Sequence, residues 1–221
     1  KDNLPAEPFE EHQLERLYLA PYKVASMPRR TARWKPGMAE EWEMVIRLAA
    51  VTGQRLTDVI RLRASALDLE EGVVDYLPGK TMKTARRIAF PLRYWPDEIA
   101  RLRAWMKRDD EVKEWVFPLL QEVSGASRSW PSKAFAMIME AAGLEKVVAQ
   151  KGEGAGRDRY EQGFHSLRHT ANTRCAAMGI PAEIRKELFG HSTVEMNRVY
   201  THWDSEVLDE LMAGRAKRGK K

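Results

Sequence analysis

Apolar residues recur at helical spacing over most of the chain. Phe9, Leu14 and Leu17, following Pro8, predict a short first helix to about Leu19, and Pro21 to Pro36 reads as a basic loop. Trp42, Val45, Ile46 and Ala49 predict a helix over Met38–Val51, broken by Gly53 before a second helix from about Arg55 to Arg63. The pattern then changes. Gly72 to Leu77 reads as a strand, Pro78-Gly79 as a turn, and Arg87 to Phe90 as the partner strand. Helical spacing resumes with Ile99, Leu102, Trp105 and Met106, and again from Trp130-Pro131 through Phe135 and Ile138 to about Ala142. Lys146 to Gly163 lacks usable periodicity and is expected to be a mobile loop. The expected fold is mainly α with a small antiparallel β-sheet, an α+β arrangement.

The most densely patterned stretch is His165 to Tyr200. Leu167, Ala171, Cys175 and Met178 stripe one helix, which Gly179-Ile180-Pro181 ends. The next helix turns Ile184 and Leu188 inward and stops at Gly190. Ser192-Thr193-Val194-Glu195 is a capping-box pattern that opens a third helix, with Tyr200 about two turns along. His191 therefore stands at a helix start, where anions are favoured. Val207, Leu208, Leu211 and Met212 suggest a last apolar stripe.

Composition narrows the possible functions. The chain has 221 residues, enough for one good core or two small ones, and 43% of them are hydrophobic. A single cysteine, Cys175, excludes an intrachain disulfide and a thiolate zinc cluster, which fits a reducing, cytoplasmic setting. No apolar run reaches membrane-spanning length and no secretory signal is visible, so no membrane association is expected. The chain begins at Lys1 rather than methionine, and is read as an excised piece of something longer.

The formal net charge is +5, and the tail from Gly214 to Lys221 holds five basic residues and no acid. The remainder is balanced overall, but residues 79–108 contain nine Lys or Arg against Asp97 and Glu98 alone. Such an excess suits either a solvated face or a polyanion such as DNA.

Several spaced polar residues carry the candidate chemistry. His165 and Arg168 are three apart and share a helix face, and His191 and Tyr200 follow. Upstream stand Thr52-Gly53-Gln54-Arg55 and Asp58, then Lys80, Lys83-Thr84, Arg86 and Arg87. Arginine presents a fixed fork of donors to phosphate oxygens and remains charged at any working pH. His165 and His169 are four apart, as in some zinc sites, but Ser166 occupies the place where a zinc protease needs glutamate.

These boxes resemble the tyrosine recombinases, or phage integrases. Their pattern H-x-x-R, then G-H, then tyrosine nine residues on reads here as His165-Ser166-Leu167-Arg168, Gly190-His191 and Tyr200. Gly53 to Asp58 looks like the first arginine box, and Lys83-Thr84 before Ile88 to Pro91 looks like the hairpin lysine. The resemblance runs over roughly residues 8 to 213, with 1–7 as an arm and 214–221 as a basic tail.

The resemblance implies a tyrosine recombinase catalytic-domain fold and an enzyme that cleaves and rejoins double-stranded DNA through a 3′-phosphotyrosyl intermediate, without cofactor or metal. Arg55, Lys83, His165, Arg168, His191 and Tyr200 would be catalytic, with Asp58 supporting and with Lys80, Arg86 and Arg87 on the DNA. Lys80 competes with Lys83 for the general acid: counting back eight residues from Pro91 gives Lys83, and counting forward from Arg55 favours Lys80. Recombination sites and copies of the chain itself would be the partners, as a monomer when free and a tetramer on DNA. The C-terminal helix would pack in cis or against a neighbour. Members of the family normally carry an N-terminal helical DNA-binding domain, and nothing before Phe9 could be one; weak, salt-sensitive binding is expected. A type IB topoisomerase-like nicking-closing enzyme and a noncatalytic DNA-binding protein of the same fold remain the alternatives.

Overall fold

A computed structural model describes residues 7–27, 33–77, 87–108, 114–144, 148–150, 159–160 and 162–189. The turn at Pro78-Gly79, with Lys80, Lys83 and Arg86, lies outside them, as do His191, Tyr200, the expected helices of residues 192–200 and 204–212, and the basic tail.

Helix α2 (Met38–Thr52) forms the centre of the core. Trp42, Val45, Ile46 and Ala49, the predicted stripe, are all fully buried. Gly37 and Gly53 flank it in left-handed conformations, which fixes both ends. Helix α1 (Glu11–Ala25) packs along it, and its last turns correct the sequence reading. Pro21 lies inside the helix rather than after it. Tyr18, Ala20, Pro21 and Val24 are all buried, and this tertiary packing offsets the hydrogen bond that proline removes.

Helix α3 (Leu56–Ile60) is shorter than expected. The chain leaves it to form a bridge between Arg63 and Trp115, with the Val116 N–H donating to the Leu62 carbonyl at 2.9 Å. Strands β1 (Leu67–Asp68), β2 (Val73–Tyr76) and β3 (Ile88–Phe90) then form an antiparallel sheet in that order. Val74 faces Phe90 and Tyr76 faces Ile88, so all four share the buried side, while Ala89 is exposed.

Helices α4 (Pro96–Met106), α5 (Pro118–Ala126) and α6 (Trp130–Ala141) follow. Only α5 lacks a counterpart in the sequence reading. Its start is set from far away: the buried Glu41 carboxylate accepts from the backbone N–H of Leu119 at 3.0 Å and Leu120 at 2.8 Å. The expected loop at 146–163 contains a short pairing of β4 (Val148–Gln150) with β5 (Arg159–Tyr160), held by backbone contacts that hydrophobic spacing cannot announce. Helices α7 (Phe164–Ala177) and α8 (Ala182–Leu188) close the described fold, α7 against α2 and α8 against β3.

Candidate active site

The end of α2, the start of α3 and the first turns of α7 converge on two arginines. Gly53 closes α2 with φ 61°, its N–H donating to the Ala49 carbonyl at 2.9 Å. This left-handed turn leaves its own carbonyl free to accept from Arg168 Nη1 at 3.0 Å. Two residues later Arg55 sits at the cap position of α3, in extended conformation. Its guanidinium lies 3.7 Å from the Asp58 carboxylate on the next turn. The two arginines differ in setting: the Arg55 side chain is 31% exposed, whereas Arg168 is 4% exposed.

Burial, and then the charge of Arg55, push the Arg168 guanidinium down to about 10, which leaves it charged at neutral pH. Tyr76 and Asp58 oppose that shift. His165, one helical turn before Arg168, lies at the exposed mouth of the same region. Its ring stands edge-on to His169, with centroids 5.0 Å apart. Partial burial and then His169, Arg168 and Arg55 hold the His165 pKa below the ordinary histidine value of 6.5. Burial and then Arg168 lower His169 likewise. At pH 7 both rings are therefore neutral, able to give or take one proton each.

Of the residues expected from the sequence, Arg55, Asp58, His165 and Arg168 thus come together although the two boxes are more than a hundred residues apart. Arg87 does not join them. It lies on the exposed side of the sheet, where its Nε donates to Asp75 Oδ1 at 3.0 Å and Oδ2 at 3.1 Å. Among the described residues no group of three or more His, Cys, Asp or Glu is arranged to hold a metal ion.

Three neighbours escaped the sequence reading. Phe189, directly after α8, is 1% exposed and covers Gly53 so closely that a Cβ there would lie 2.6 Å from Phe189 Cδ1. Gln54, between Gly53 and Arg55, is 1% exposed, and neither of its amide atoms finds a hydrogen-bond partner among the described residues. Tyr76, on the buried face of β2, acts electrostatically on Arg168. The alternation of Val74 and Tyr76 signals a shared face, but what that face packs against is a tertiary matter.

A family model described as the phage integrase family matches residues 8–206. The chain belongs to this family. Among its relatives, an integrase/recombinase of Escherichia coli is 24% identical over 198 residues, which cover 73% of this chain and 54% of that protein. The tyrosine recombinase XerD of Rhizobium meliloti is 28% identical over 174 residues, covering 76% of this chain and 49% of the relative. The chain spans about half the length of the curated relatives it matches.

Solved structures of family members share the fold. The XerA recombinase superposes with a TM-score of 0.57 at 18% identity, over 97% of this chain and 66% of that one. The XerH recombinase bound to its difH substrate gives 0.54 at 20% identity, over 99% of this chain and 55% of that one. The helical body with its three-stranded antiparallel sheet is the tyrosine recombinase catalytic-domain fold.

Proposed function

We propose that the chain is the catalytic part of a site-specific DNA recombinase, acting through a phosphotyrosyl intermediate. The observation that carries this reading is the convergence of Arg55, beside Asp58, with the buried Arg168, which donates to the Gly53 carbonyl two residues before Arg55. Arg168 is almost fully buried and feels the charge of Arg55, so an anion that both guanidiniums can contact would ease their repulsion beyond what Asp58 supplies. A DNA phosphodiester is such an anion, and each guanidinium can engage one of its nonbridging oxygens.

The chemistry follows from the residue types. Tyr200 is the nucleophile: its oxygen forms the bond to phosphorus while the bond to the 5′-oxygen breaks, leaving the 3′-phosphate on the protein. The phenolic proton passes to a neutral imidazole, and the Lys83 ammonium protonates the departing 5′-oxygen. Negative charge grows on the nonbridging oxygens, so Arg55 and Arg168 stabilise the transition state more than the ground state. Asp58 orients Arg55 from behind. Attack by the 5′-hydroxyl of another strand reverses the step without an energy cofactor, because the ester's free energy is largely retained. Double-stranded recombination sites and further copies of the chain are the proposed partners, with assembly completed on DNA.

A nicked suicide substrate, from which the short 5′-hydroxyl strand diffuses away after cleavage, tests the reading. Incubation and denaturing electrophoresis are expected to give a slow-migrating protein–DNA adduct. Absence of any adduct across a library of nicked duplex substrates would contradict the proposal.

A further inference from the structure

We propose that the arm of residues 8–11 is a strap that positions the turn of α7 carrying His165 and Arg168, with Thr170 as the positioning residue that takes its hold. The link to catalysis rests on the recombinase reading above. Ser166, Thr170 and Arg174 fall on one side of α7, and His165, Arg168 and His169 on the other. The strap lies along the first side. The Phe9 N–H donates to Thr170 Oγ1 at 2.8 Å, across 161 residues of sequence. The same hydroxyl donates to the Ser166 carbonyl at 2.9 Å, and Ser166 Oγ accepts from the Gly163 N–H at 3.2 Å. On either side of that relay, the Gln162 amide donates to the Pro8 carbonyl at 3.2 Å and Arg174 pairs with Glu11. Phe9 and Thr170 are 4% and 3% exposed, so their bond is closed to water.

The start of α7 has little of its own to hold it. Its first turn contains no acidic residue to meet the positive end of the helix dipole, and the Arg168 cation just beyond that turn is disfavoured there. Gly163, at the cap position, has no side chain to offer. Phe164 anchors one flank, edge-on to Phe135 of α6 with ring centroids 5.0 Å apart. The strap anchors another, and its own footing is firm. Arg16 of α1 donates from Nε to the Ala142 carbonyl and from Nη2 to the Gly143 carbonyl, both at 2.7 Å. Support from behind leaves the opposite side of the turn to the phosphate. A displacement of about 1 Å in a reacting group can cost about 10²-fold in rate. Thr170 thus acts on the reaction through the helix, without touching the substrate.

Thr170→Val in the full chain keeps the shape of the side chain and removes the hydroxyl. Single-turnover adduct formation at saturating protein is expected to slow about tenfold, part of what a full ångström of displacement would cause. DNA affinity should stay near that of the parent. Thr170→Ser, which keeps the hydroxyl, should retain the parent rate. Independently of catalysis, the amides of Arg168 and His169 should exchange faster with solvent in Thr170→Val, while those of α2 stay protected. If the valine variant does not fold, Gln162→Ala, at the outer end of the strap, should show the same two changes in smaller measure. Unchanged exchange at the α7 amides in the variant that folds overturns the strap, whether or not the parent chain forms adducts. So does a serine variant as slow as the valine one, or a rate loss matched by an equal loss of DNA affinity. A parent that forms no adduct, combined with faster exchange that is absent from the serine variant, rejects the recombinase reading and leaves the strap in place.

Discussion

Arg168 reaches across the core to donate to the carbonyl of Gly53 at 3.0 Å, and so joins the first arginine box to the second. Gly53 serves two purposes in that contact. Its positive φ aims the carbonyl at Arg168, and its missing side chain lets Phe189 close over the turn.

Gly53→Ala violates both requirements. The new methyl would meet Phe189 at 2.6 Å in a backbone conformation that disfavours side chains. Strain and overpacking together should destabilise the protein by about 2 kcal/mol or more. Urea unfolding measures this, and a variant as stable as the parent would show that the turn relaxes freely.

How much of this was visible in the sequence depends on the range of the interaction. The stripe of α2 and the spacing of His165 and Arg168 are local and read directly. The continuation of α1 through Pro21 is not, because the burial of Tyr18 and Val24 against other helices outweighs a local rule. The start of α5 depends on Glu41, which is nearly eighty residues away. In the site, Arg55 and Arg168 belong to short motifs and were legible, whereas the burial of Gln54 and the closing of Phe189 over the Gly53 turn depend on tertiary packing.

Gln54 lies next to that turn with a buried amide that lacks partners among the described residues. A buried polar group left unsatisfied costs about 1–3 kcal/mol. Gln54→Met, of similar length, should therefore raise stability, by up to that amount, in thermal or urea unfolding. A clear loss of stability would show that the amide is satisfied in solution.

His165 and His169 make stability depend on pH. Both pKa values are lower in the folded state than in the unfolded one, so the unfolded chain binds more protons in acid. Stability is then fully present above the ordinary histidine value, about 6.5, and falls as the pH drops through the depressed folded values. Urea titrations from pH 7.5 to pH 5 should show this slope, and it should flatten in His165→Gln. A slope unchanged by that substitution would place the effect elsewhere.

Lys83 is the proposed donor to the departing 5′-oxygen. Lys83→Ala should slow cleavage of ordinary DNA by about 10²- to 10⁴-fold, with little effect on a substrate carrying sulfur at the 5′-bridging position, which leaves without a proton. If Lys80→Ala shows that selective rescue and Lys83→Ala does not, the donor is Lys80.

In the proposed reaction the Arg55–Arg168 pair holds a phosphate for attack by one tyrosine. Its most direct test is mass spectrometry of the nuclease-trimmed adduct formed on a nicked substrate. The expected result is a nucleotide 3′-phosphate on Tyr200 and no adduct from Tyr200→Phe. A nucleotide on any other residue, or an adduct that survives Tyr200→Phe, would contradict the account.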